Sequence, residues 1–425
     1  MAVTRRRRAS PVAAMLAPIA AAVLGAEPPV GLRCWDGSVA GPADARATLV
    51  LRSPRALRRV LYAPGELGLA RAYLSQELDV EGDLLWLLQT VRPLARDARV
   101  SPQVVAAALR AVRGLGILGP PLGSLPEEAR PRKRGGPGRD RRGVAHHYDV
   151  GNDFYRLVLG PSMTYSCGRF ASPDDTLERA QEAKHELICN KLGLAPGMRL
   201  LDVGCGWGAL VRHAAVTRGV DAVGITLSGE QRDWAIAENR RVGVADRVEI
   251  RLQHFQELAE ESFDAICSVG MYEHVADGEE HGYFTTLHRL LAPGGRVLNQ
   301  AISKVRGSHY RSRSFLLRYV FPNGCLRDIG TTLSAMQRAG FEVRDLECLR
   351  EHYGLTLRRW VANLEGHWET VQDLVGTTRA RVWRLYMVGA IDSFDSATIA
   401  LHQALGVKLG TGGTSGFPLT RAGWS

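Results

Sequence analysis

Residues 199–210 read RLLDVGCGWGAL, an apolar run that ends in an acid and is followed by glycine at every second position. Leu200, Leu201 and Val203 have the continuous apolar character of a strand buried on both faces of a parallel sheet. Gly204, Gly206 and Gly208 then let the backbone approach a bound molecule closely before a helix begins. The stretch is not a GxxxxGK[ST] phosphate loop, and it lacks the full GxGxxG spacing of a dinucleotide site.

Working outward, strand and helix patterns alternate, which predicts an α/β domain with a mostly parallel sheet covered on both sides. Strands are expected at 199–203, 220–225, 247–251, 263–269, 295–302, 341–349 and 397–408. A helical block over 353–390 separates the last two, which predicts an antiparallel final strand.

A chain of 425 residues exceeds one ordinary domain, so two are expected. Its seven cysteines form no CxxC motif and no Cys/His cluster, which argues for a reducing compartment without structural zinc or another metal. The net charge of +10 is uneven: residues 1–143 hold 23 Lys+Arg against 12 Asp+Glu, a difference of +11, and the remainder carries −1. Such a basic front suits an anionic partner, either nucleic acid or a phospholipid surface. The leader RRRRASP precedes a short apolar stretch interrupted by Pro18, which predicts a cytosolic first helix rather than an export signal or a membrane span.

The segment ATLVLRS (47–53) reads as a strand and 55–91 as helices punctuated by glycine, giving a smaller N-terminal α+β domain over 1–118. Residues 119–143 are rich in Pro, Gly and Arg and read as a flexible basic linker. A catalytic domain is expected over 144–408 and a flexible tail over 409–425.

The glycine loop resembles motif I of the S-adenosylmethionine-dependent methyltransferases. HHYDVGNDFYRLVLGPSMTYSCGRF (146–170), SVGMYEHV (268–275), VFPNG (320–324) and RARVWRLYM (379–387) resemble, in the same order, the cyclopropane-fatty-acyl-phospholipid synthases and mycolic acid cyclopropane synthases. The resemblance implies a class I methyltransferase, Rossmann-like seven-stranded sheet, and a lipid- or membrane-binding role for residues 1–118. It also implies a cytoplasmic enzyme, peripheral on the inner face of the membrane, acting on unsaturated phospholipid acyl chains. A homodimer is allowed, and nucleic acid is not an expected partner.

The same resemblance implies the site. Tyr165 and Ser166 would contact S-adenosylmethionine, Gly204 and Gly206 would admit it, Asp202 would support the loop, and Thr226 with Gln231 would replace the ribose-binding acid. A bound bicarbonate would be held by Cys167, Glu273, Tyr353, the backbone of Ile302 and the residue at 300. An alkene is a poor nucleophile, so the chemistry needs the sulfonium methyl held in line with it, followed by removal of a proton away from water. A carboxylate beside an anion is unfavourable unless the two share a proton, which is the role implied for Glu273.

Two positions depart from the pattern. Gln300 stands where the family has histidine; it donates a hydrogen bond but carries no charge and moves no proton. His254 replaces an acid often found near the adenine. Weaker proton removal would turn the product from a cyclopropane to a methylene-branched chain, the alternative reading. A nucleic-acid-binding protein or methyltransferase is the rival from another class. It is opposed by GMYEH in place of an NPPY-type segment and by the lack of interleaved basic and aromatic residues. Cys205 is read as a packing residue, His146 and His147 as non-metal residues entering the site cover, and Trp360, Trp368 and Trp383 as core.

Overall fold

The computed structural model describes residues 11–97, 101–129, 150–259, 262–305, 314–322 and 324–424. The chain forms two compact units. One comprises the described residues of Met1–Glu128 and Arg313–Phe315 together with Thr377–Asp392, and the other holds the rest.

In the first unit, β1 (Gly31–Arg33), β2 (Val39–Ala40), β3 (Ala47–Leu51) and β4 (Leu78–Gly82) form a sheet in the order β2-β1-β3-β4. The first helix spans Val12–Leu24 and includes Pro18, as its sequence suggests. It buries Val12, Ala13 and Leu16 in a cluster with Leu51, Ala56, Ala72, Leu78 and Ala111. Residues 78–82 were expected within a helical stretch; instead Leu78 pairs with Leu51 and Val80 with Leu49 in an antiparallel ladder, so cross-strand pairing overrides the local helical spacing. Among the described residues no helix is long and apolar enough to cross a membrane.

Thr377–Asp392, three hundred residues further along the chain, belongs to this first unit rather than to the unit of its sequence neighbours. Buried Arg381 explains the attachment: its guanidinium lies 3.8 Å from the centre of the Tyr73 ring and donates to the carbonyl oxygens of Tyr73 at 2.7 Å and Leu78 at 3.1 Å. The segment read as a linker begins anchored, since Tyr62 Oη donates to Gly119 O at 2.7 Å and Arg71 pairs with Glu128 at 2.6 Å. The basic tract beyond it, with His146 and His147, lies outside the described residues.

The second unit carries β5 (Arg199–Val203), β6 (Asp221–Thr226), β7 (Val248–Leu252), β8 (Phe263–Val269), β9 (Leu291–Lys304), β10 (Phe341–Cys348) and β11 (Ile399–Lys408). They form a seven-stranded sheet in the order β10-β11-β9-β8-β5-β6-β7. β11 is antiparallel to both β9 and β10, between which it lies, so the antiparallel final strand is present. One apolar cluster covers each face: Leu200, Val211, Ala265 and Leu298 on one side, and Leu201, Ile266, Phe284 and Val297 on the other. The seventeen-residue helix Arg350–Gly366 follows β10, and Trp360 within it is fully buried, as is expected of a core residue. Residues 409–424, read as a flexible tail, pack onto this unit. Trp424 is buried, Arg421 pairs with Asp345 at 2.6 Å, and Arg296 lies 4.7 Å from the centre of the Phe417 ring.

Candidate active site

The strands β5, β6 and β8 end together, and every sequence-predicted site residue lies in this second unit. After β5, Gly204 and Gly206 take φ values of +86° and +55°, the left-handed region that favours glycine. The Gly204 and Cys205 amides both donate to Ile225 O, at 3.0 and 2.9 Å, which ties the loop to β6. A side chain at Gly204 would meet Met271 Cβ at 2.9 Å, whereas nothing lies within 4 Å of one at Gly206. The loop is thus closed against the protein at Gly204 and open for a ligand at Gly206. Cys205 is buried, and burial pushes its thiol far up, so it is an inert packing residue.

Asp202 is the penultimate residue of β5, is 2% exposed, and its Oδ1 has no hydrogen-bond partner. Burial pushes its pKa up to about 6. An acid so placed fits a ligand that brings a positive group. Thr226 Oγ1 donates to Gln231 Oε1 at 2.6 Å, and Ser228 Oγ accepts from the Gln231 amide at 3.3 Å. Both predicted ribose-contacting side chains are therefore held together at the end of β6. His254 Nδ1 accepts from the Gln256 amide at 3.2 Å and caps the short helix Phe255–Glu257.

The TYSC segment is pinned from beneath by the helix Leu177–Leu192. Gln181 Nε2 donates to Ser166 O at 2.8 Å, and Lys184 Nζ donates to Ser166 Oγ at 3.1 Å. Lys184 is fully buried, and that burial lowers its pKa to about 8 against the opposing influences of Cys167 and Asp202. Neither Gln181 nor Lys184 was singled out in the sequence; they sit three apart on a buried helix face that also carries His185 and Lys191, so no local pattern marked them. Tyr165 stacks between Tyr155, 5.7 Å away, and Trp360, 5.2 Å away, while Tyr155 lies 4.6 Å from Trp207 of the glycine loop. This aromatic series joins the loop to the segment above it.

Glu273 lies in the short helix Tyr272–His274 beyond β8, and its Oε1 accepts from the Ile302 amide at 2.8 Å. Its Oε2 is buried without a partner, and burial pushes the pKa up to about 7, against the lowering effects of the Ile302 bond and Arg327. Arg327 fastens the loop that carries Glu273. It pairs with Glu280 and donates to the carbonyl oxygens of Val275 at 2.8 Å, Ala276 at 2.6 Å and Tyr272 at 3.3 Å.

A chain of contacts brings the remaining residues to the same place. Cys167 Sγ lies 3.8 Å from Leu349 O, which also accepts the Tyr353 amide at 3.2 Å. The Leu349 amide in turn donates to Leu401 O at 2.8 Å, and Leu401 is the β11 partner of Ile302. Tyr353 packs 4.6 Å from Phe394 and 6.2 Å from Trp360. Burial drives the Cys167 thiol far up, so it serves as a neutral donor rather than a nucleophile. Gln300 is buried on β9, two residues before Ile302, and so lies on the same face of the strand. An unpartnered, half-neutral carboxyl among neutral donors fits a small oxyanion that shares a proton with it. Among the described residues no group of three or more His, Cys, Asp or Glu side chains is placed to hold a metal.

The chain resembles known proteins in sequence and in fold. The family model for mycolic acid cyclopropane synthetase matches residues 137–404. A probable fatty acid methyltransferase of Mycobacterium tuberculosis is 42% identical over 406 residues, 92% of this chain and 94% of its own. The cyclopropane-fatty-acyl-phospholipid synthase of Escherichia coli is 35% identical over 61% of this chain and 66% of its own. The crystal structure of a mycolic acid cyclopropane synthase complexed with SAH and CTAB superposes with a TM-score of 0.59 at 32% identity, covering 63% of this chain and 97% of that one.

Proposed function

The chain belongs to the mycolic acid cyclopropane synthetase family of S-adenosylmethionine-dependent enzymes, and on that premise we propose that it forms cyclopropane rings on unsaturated acyl chains of phospholipids. The observation that carries the reading is Glu273, held by the Ile302 amide with its second oxygen buried and unpartnered beside the cofactor loop.

When bound, S-adenosylmethionine supplies an electrophilic methyl group, and bicarbonate supplies a small base for the proton that must leave. Asp202, Gly206, Thr226 and Gln231 would hold the former, with Tyr165 and Ser166 above it. Cys167, Glu273, Gln300, Tyr353 and the Ile302 amide would hold the latter. Tyr155, Tyr165, Trp360 and Tyr353 pack in one aromatic series next to these residues, an apolar surrounding that would exclude the water able to trap a cation.

Gln300 favours a second reading, in which proton removal from the new methyl group is less efficient and a methylene-branched chain forms. The name of the Mycobacterium tuberculosis relative, a fatty acid methyltransferase, is compatible with it. Proton NMR of the lipid product from purified protein, S-adenosylmethionine, bicarbonate and monounsaturated phospholipid vesicles separates the two. Upfield ring protons are expected; exomethylene protons would move the enzyme to the branch-forming class, and no product would overturn both readings.

The substrate sits in a bilayer, and the first unit has features suited to one. Leu61, Tyr62 and Leu118 are 43%, 48% and 61% exposed, and the Tyr62–Gly119 hydrogen bond and the Arg58 Nε–Ile117 O bond of 2.8 Å place these residues together. An apolar patch on the strongly basic front of the chain suits an anionic phospholipid surface, to which each nearby Lys or Arg contributes about 1 kcal/mol. Replacing Leu61 and Leu118 with aspartate is expected to weaken sedimentation with phosphatidylglycerol vesicles by about tenfold or more, since each apolar side chain lost contributes on the order of 1 kcal/mol. Turnover of detergent-dispersed lipid should be unchanged; undiminished vesicle binding would remove this patch as the docking surface.

A further inference from the structure

The residue that replaces the family's histidine is paired with a side chain that sequence reading did not single out. β9 and β11 are antiparallel with Gln300 directly opposite Gln403. Both are buried, and Gln403 Nε2 donates to Gln300 Oε1 at 2.9 Å.

A carboxamide has an acceptor end and a donor end. With its oxygen engaged across the strands, Gln300 has its NH2 end left for the site, on the strand that also supplies the Ile302 amide to Glu273. The reversed arrangement, with Gln300 donating to Gln403 Oε1, would keep one hydrogen bond but turn an oxygen toward the oxyanion. The observed arrangement leaves Gln403 Oε1 buried and without a partner, so the two differ in that oxygen as well as in what they present to an anion. We infer that Gln403 is a positioning residue that holds the Gln300 amide donor-first toward a bound oxyanion, substituting a fixed neutral donor for the histidine of the family pattern.

The inference rests on the anion-site reading above, and the test separates the two. Full-length protein with 15N-labelled glutamine is titrated with sodium bicarbonate while the Gln300 side-chain amide resonances are followed, assigned by their loss in Gln300→Leu. The bicarbonate concentration giving half-maximal product formation is measured in parallel. In the wild type the Gln300 amide should shift and saturate.

Gln403→Leu removes the partner and is expected to raise half-saturation about threefold to tenfold with S-adenosylmethionine affinity unchanged, while Tm falls by a few degrees because the buried Gln300 oxygen loses its donor. Gln403→Glu offers only acceptors, draws the Gln300 NH2 group inward, and is expected to raise it more than tenfold; if that variant does not fold, Gln403→Leu decides alone. Wild-type half-saturation in Gln403→Leu, by both readouts, overturns the inference while leaving the anion site intact. A wild-type Gln300 amide that ignores bicarbonate, with bicarbonate-independent turnover, overturns the anion-site reading and this inference with it.

Discussion

Replacing Glu273 with glutamine is expected to lower product formation by about 100-fold to 1,000-fold while leaving S-adenosylmethionine affinity within about twofold, the result for a group that manages a proton in the reaction rather than binding the cofactor. The substitution keeps the acceptor for the Ile302 amide and removes the titration. Since burial brings the pKa of Glu273 to about 7, the wild-type carboxyl passes from protonated to charged across neutrality. At fixed bicarbonate concentration, turnover should fall as pH rises above 7, where a charged carboxylate opposes a neighbouring anion; Glu273→Gln should lack this limb.

Stability carries the same sign. The folded pKa lies above the ordinary 4.5, so the folded state binds more protons between the two values. The stabilising contribution is complete below pH 4.5 and is lost as pH rises through about 7. Relative to Glu273→Gln, wild-type unfolding free energy should therefore decline over this window. Tyr353→Phe, which keeps the ring packed on Phe394, is expected to lower turnover about tenfold to 100-fold, also with cofactor binding retained. Wild-type turnover in both variants would remove the proton-handling assignment.

The glycine loop gives the second large effect. Gly204→Ala places a methyl group 2.9 Å from Met271 Cβ and Cγ at a φ of +86°. Left-handed strain of this kind costs about 1–3 kcal/mol, and the overlap adds to it, so a Tm loss of several degrees is expected together with at least tenfold weaker S-adenosylmethionine binding. Met271 is two residues from Glu273, so the displacement also reaches the proton-handling group.

Gly206→Ala separates fold from ligand. No protein atom lies within 4 Å of the new methyl group, and its φ of +55° is reachable by alanine at a cost of about 1–2 kcal/mol. Calorimetric titration should show cofactor affinity falling at least tenfold while Tm drops less than in Gly204→Ala. Full affinity in Gly206→Ala would mean that the cofactor does not approach this backbone.

The strand order and the pairing partners explain what could be read in advance. Apolar runs such as Leu200–Leu201–Val203 and Phe263–Val269 carry their buried state in local composition, so the sheet strands were legible. Glycine at 204 and 206 was legible for the same reason, since only a backbone constraint explains such spacing. The short strand Leu78–Gly82 was not, because its five residues become a strand only through pairing with β3. Likewise nothing local to Thr377–Asp392 announces that Arg381 will lie over Tyr73.

By itself, then, the amino-acid sequence determined the methyltransferase-type sheet and its glycine loop, because those depend on hydrophobic period and backbone freedom within short stretches; the candidate site residues came from resemblance to the family, not from any local pattern. Only the tertiary structure decided that Lys184 lies beneath Ser166, that Arg327 fastens the Glu273 loop, and that Gln403 faces Gln300. These relations join residues 18, 51 and 103 positions apart, and the physical reason is that a buried polar group must find its partner wherever the packed chain supplies one.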